Sequence, residues 1–152
     1  MRMDEVNQPG DASALARLGA AYTATCYRVT VGDGLLDIRI GEVNPELDCF
    51  LTGKGARSWV FVSAVNPRSR ILLEAENAVL HAGLCAEVSK AGLQAYLGEA
   101  LADAGDWPVE AGLLVLDVSK DLAKDMGRRY GQNAVVWAMR GEPPRLLWCP
   151  QY

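Results

Sequence analysis

Along the chain the spacing of apolar residues changes several times, and each change marks an element. Leu15, Leu18, Ala21 and Tyr22 fall three or four apart, the spacing of one helical face. They predict a helix running to about Ala24, with Asp11 or Ser13 as its cap. Beyond it the period drops to two. Tyr27, Val29 and Val31 share one strand face, and Leu36, Ile38 and Ile40 share the next. Gly32-Asp33-Gly34 lies between them and suits a tight hairpin, because glycine accepts positive φ. Asn44-Pro45-Glu46 reads as cap, first helical residue and first-turn acid of a short helix with Leu47, Phe50 and Leu51 inward. Ser58–Val65 is apolar on both faces, as a strand between two covering layers must be.

Asn66-Pro67 ends that strand, and Ser69 is the expected cap of the longest helix, which runs to Ala91 and stops at Gly92. Its stripe is Leu73, Leu80, Leu84 and Val88. A strand at Leu93–Leu97, a Gly- and Asp-bearing stretch over 98–111 and a strand at Leu113–Val118 follow. Ser119 then caps a helix with Leu122, Ala123, Met126 and Tyr130 inward, ended by Gly131. The last strands are Asn133–Met139, expected parallel to the Ser58 strand, and Arg145–Cys149. From Ser58 to Met139 the order is strand, helix, strand, strand, helix, strand. The fold class is therefore α+β, with a ferredoxin-like (split βαβ) core, an added N-terminal helix and β-hairpin, and a C-terminal strand. Trp59, Phe61, Leu73, Leu80, Leu84, Leu114, Leu116 and Val136 form the expected core. Residues 1–152 read as a single domain, with 1–10 a loose leader.

Charge and composition narrow the function classes. A net charge of −4 weighs against a nucleic-acid partner, which calls for a basic surface. The apolar runs fall far short of the ~20 residues of a membrane helix, and no signal-peptide core follows Met1. A cytoplasmic protein is expected. The four cysteines form no Cys-x-x-Cys pair and His81 stands alone, so neither a metal nor another cofactor is expected. A monomer or weak homodimer fits this balance.

Three polar clusters are candidates for chemistry. The first is Asn66, Arg68 and Ser69, on a loop leaving a buried strand, joined by Asn77 on the stripe of the following helix. Amides at a helix start favour an anion, and a buried Asn77 amide needs partners. The second is Trp107 with Glu110, where an indole beside a carboxylate promotes desolvation and a raised pKa. The third is Gly131-Gln132-Asn133, after Tyr130, with Gln132 its leading candidate. Ser69 as a plain cap, Glu110 in solvent and Gly131 as a plain helix stop are the bland alternatives. No nucleophile–base pair, Walker loop or dinucleotide fingerprint is present. Two function classes remain: a small-ligand or nucleotide-type pocket built from these groups, catalytic or not, and a protein-interaction module using an exposed sheet edge or the strand Leu146-Leu147-Trp148.

Trp59–Ser69 (WVFVSAVNPRS), Glu76-Asn77, Trp107-Pro108-Val109-Glu110 and Tyr130–Val136 (YGQNAVV) together resemble a bacterial family known as domain of unknown function 3293. The resemblance extends from about Tyr22 to Trp148. Val65 departs from it, standing where an aromatic residue is expected before Asn-Pro, which touches a pocket wall and not the polar groups. The resemblance implies no established activity, cofactor or partner.

Overall fold

The computed structural model describes residues 12–150; the expected leader and the Asp11 cap lie outside them. Helix α1 (Ala12–Thr23) leads into the hairpin β1 (Thr25–Val31) and β2 (Gly34–Ile38), then α2 (Pro45–Gly53) and β3 (Ser58–Val62). A 3₁₀ turn (Pro67–Ser69) precedes α3 (Glu74–Lys90), β4 (Ala95–Ala102), β5 (Glu110–Leu116), α4 (Lys120–Arg129), β6 (Ala134–Met139) and β7 (Arg145–Trp148). The strands form one sheet in the order β2-β1-β4-β5-β3-β6-β7, and every neighbouring pair is antiparallel. The protein is thus a mixed α+β fold with four α-helices among the described residues.

Antiparallel pairing corrects the expectation that the Asn133 and Ser58 strands run parallel. Ser58 lies opposite Met139 and Phe61 opposite Val136. The start of β6 therefore sits beside the end of β3, which brings the Gln132 region to Asn66.

All five residues of β3 are buried, because both faces of the sheet are covered. Val60 and Val62 pack with Leu84 and Val88 of α3 and with Ala123 and Met126 of α4. Trp59 and Phe61 point the other way, to Leu47 and Leu51 of α2 and to Tyr22 of α1. Two expected core positions fail. Leu73 is 72% exposed and Leu122 is also exposed. The reason for Leu73 is that α3 starts four residues later than expected. Ser69 does not cap it. Residues 70–73 stay outside the helix, the Leu72 N–H donates to Asn66 Oδ1 at 2.9 Å, and Leu73 becomes the cap residue, its N–H donating to Glu76 Oε1. The rest of the predicted core is buried, except Leu80, which is half-buried against it.

One packing device was invisible in the pattern. Gly98 and Gly112 face each other across β4 and β5, and the Phe61 ring lies over both. A Cβ on Gly112 would come within 2.6 Å of that ring, and one on Gly98 within 2.7 Å. The missing side chains let the ring lie down on the sheet. Its tilted contact with Tyr27, at 5.1 Å between centroids, completes an aromatic floor.

Gly112→Ala should therefore cost about 1–3 kcal/mol in urea denaturation, as overpacking does. Adding Phe61→Leu should make the two costs non-additive, because the substitutions share one contact. A Gly112→Ala loss below about 0.5 kcal/mol would show that the ring is free to lift.

Candidate functional site

The loop after β3 carries an unusual backbone. Asn66, Arg68 and Ser69 all have positive φ, at 46°, 56° and 61°. Asn tolerates this region better than most residues, but three such residues in four store strain unless the surroundings hold them. Four contacts do so. Asn66 N–H donates to Asn77 Oδ1 at 2.9 Å, and Arg68 N–H donates to the Gly131 carbonyl at 2.7 Å. Gln132 Nε2 donates to the Val65 carbonyl at 3.1 Å, and Asn133 Nδ2 donates to Ser69 Oγ at 2.8 Å. Gly131 itself has φ of 65°, and a Cβ there would press on Pro67 at 2.9 Å, so the two loops meet at backbone distance.

Asn66 is buried and uses its whole carboxamide. Its Oδ1 accepts from Leu72 N–H and from Asn77 Nδ2, and its Nδ2 donates to Glu110 Oε2 at 2.8 Å. Glu110 opens β5, so one side chain ties the end of β3, the approach to α3 and the start of β5 together. Burial pushes the Glu110 carboxyl above the usual carboxylate range, opposed by hydrogen bonds from Asn66 and Trp107.

These groups border a cavity of about 390 Å³ beneath α1. Its floor includes Phe61, Tyr27 and Val136; Leu18, Ala21 and Tyr22 form its α1 wall; Asn66, Ser69, Glu110 and Asn133 gather at the polar wall, with Ser63, Trp107 and Gln132 also lining it. The Tyr22 phenol is pushed far above its ordinary value, first by burial and then by the Glu110 charge; the Ala134 backbone and the Asn133 side chain oppose the shift through hydrogen bonds. Asn133 is buried, and its Oδ1 has no hydrogen-bond partner.

Of the residues singled out from the sequence, Asn66, Ser69, Trp107, Glu110 and Gln132 line this cavity. Asn77 does not. It stands behind Asn66 and positions it. The Arg68 side chain is exposed and outside the lining; its contribution is the backbone bond to Gly131. The helix-start anion site expected here is absent, because Ser69 is remote from the start of α3 and that first turn carries Glu74 and Glu76. Tyr22, Tyr27, Phe61 and Ser63 were missed, and Asn133, part of the third cluster, was not put forward beside Gln132 as a ligand contact. The first three carry the same apolar signal as any core residue, whereas Asn133 shares its cluster with Gln132. Among the described residues, no three His, Cys, Asp or Glu side chains are grouped to hold a metal ion.

Asn77→Ala would leave the Asn66 N–H without its acceptor inside the fold and should cost about 1–3 kcal/mol in denaturant titration; an unchanged midpoint would remove Asn77 from this role. Glu110 gives a pH signature. Its raised pKa means that, above the usual carboxylate range, the folded chain keeps a proton the unfolded chain has lost. Stability therefore falls as pH rises through that window. Glu110→Gln keeps an oxygen for Asn66 and abolishes the titration. The stability of wild type relative to this variant should decline with rising pH there, and a difference independent of pH would contradict the burial of the carboxyl.

No curated protein and no solved structure matches the chain. Residues 62–135, which run from the end of β3 into β6 and include the site from Asn66 to Asn133, match the family model described as protein of unknown function (DUF3293), and over that stretch the chain is similar to that family.

Proposed function

We propose that this protein binds a small molecule in the cavity beneath α1, with its polar head at the Asn66–Glu110–Asn133 wall. The observation that carries this reading is the composition of the wall. Polar side chains from the β3 loop, β5 and the start of β6 converge on one end of an otherwise apolar space of about 390 Å³, which is the form of a small-ligand site. The strained loop supports it, since a backbone held at positive φ in three non-glycine residues is characteristic of functional segments. The scaffold on this reading is a ferredoxin-like split βαβ unit, β3-α3-β4-β5-α4-β6, whose strand order β4-β5-β3-β6 agrees with that topology. The hairpin β1–β2, α1 and β7 are additions to it, and α1 roofs the site. No helix among the described residues is long and apolar enough to cross a membrane, in keeping with a ligand met in water.

The alternative of a docking strand at the C-terminus draws less support. Leu147 is buried, and Trp148 is half-buried with its ring edge-on to Tyr22, 6.3 Å between centroids. The apolar residues of that strand are engaged inside the fold.

Millimolar indole or adenosine should raise the melting temperature of the wild-type chain, as any ligand of the folded state does. Ala21→Trp, which fills the cavity from α1, should fold and lose the shift. If neither compound moves the melting temperature of wild type, or both still move that of the filled variant, the cavity is not the binding site.

A further inference from the structure

The lining of the cavity is chemically one-sided. Among the described residues it contains one carboxylate, Glu110, and no lysine, arginine or histidine. A phosphate or carboxylate entering it would meet Glu110 with no countercharge, at a cost that burial magnifies. The unused hydrogen-bonding capacity has the same sense. Asn133 is only 6% exposed and its Oδ1 is a buried acceptor without a donor. Its Nδ2 is already committed to Ser69 Oγ. Asn66, by contrast, is fully paired and holds the Glu110 carboxylate in place rather than neutralising it. The remaining walls present aromatic rings, with Tyr22, Tyr27, Phe61 and Trp107 all lining the space, and ring faces attract cations.

We infer that the ligand is a small organic cation, an amine on an apolar or aromatic body, with its N–H groups donated to the Glu110 carboxylate. This rests on the pocket reading and narrows it: the ligand carries no phosphate, so of a nucleotide only the base end suits this cavity. The cation also offsets the unfavourable burial of the Glu110 carboxylate, which raises its pKa against the hydrogen bonds from Asn66 and Trp107. The body of the ligand replaces water over the Phe61 and Tyr27 rings, and the amine replaces it at the polar wall.

Three compounds that share one ring isolate the head group: 2-phenylethylamine, 2-phenylethanol and 3-phenylpropionate. Isothermal titration at neutral pH should rank them in that order on the wild-type chain, with the amine at least about tenfold tighter than the alcohol, a factor equal to ~1.4 kcal/mol. Glu110→Gln, checked for folding by circular dichroism, should reduce the amine to the level of the alcohol. Equal binding of the propionate and the amine, or an amine preference that survives in Glu110→Gln, overturns the cation assignment and leaves the pocket standing. Failure of all three to bind wild type overturns the pocket and the assignment together.

Discussion

The site and much of the fold around it depend on how one side chain is satisfied. Asn66 leaves a buried strand with its backbone in the left-handed region, where its own N–H and its carboxamide point to three different elements. An apolar residue there would leave the Asn77 amide, the Leu72 N–H and the Glu110 carboxylate with unmet bonds in a region shielded from water. This arrangement explains why α3 begins at Glu74 rather than at the serine that looks like its cap. The Leu72 N–H is drawn to Asn66, the chain stays out of the helix for four residues, and Ser69 is released to meet Asn133.

The elements were legible because their causes are local. Hairpin, capped helices and two-sided strand each leave a mark of period or cap, and Asn44 and Ser119 cap α2 and α4 as their spacing suggests. What was not legible depends on partners distant in the chain. Leu73 looks apolar and periodic but is displaced by a bond to a residue in the preceding loop. The parallel assignment of β6 failed because strand direction is set by tertiary pairing and leaves no trace in the alternation. In the site, Asn66, Ser69 and Glu110 stood out because polar residues beside buried strands are chemically odd. Tyr22, Tyr27 and Phe61 did not, since an aromatic that lines a cavity is written with the same letter as one that fills a core.

The two faces of the sheet divide the work. The face under α3 and α4 is aliphatic and tightly filled, with Val60, Leu84, Val115 and Val118 fully buried. The opposite face is more aromatic, roofed by α1 and α2, and it is there that space remains. The glycine pair on β4 and β5 sets the depth of that space by letting Phe61 lie flat. The polar wall is set separately, by loops. Size and chemistry of the cavity are thus governed by different residues.

The hydrogen bonds at the polar wall join residues far apart in sequence: 44 positions between Asn66 and Glu110, 64 between Ser69 and Asn133, and 67 between Val65 and Gln132. Each of them forms only when the end of β3 meets β5 or β6, and the complete wall needs all three strands together. Loop-closure entropy delays such contacts in any folding route, so the cavity is a late product of folding and no sub-fragment of the chain carries it. Dismantling the polar wall then means separating the central strands, the most protected class of unit in a native ensemble. A molecule held there would slow amide exchange throughout the sheet and resist global unfolding, instead of merely quieting a loop.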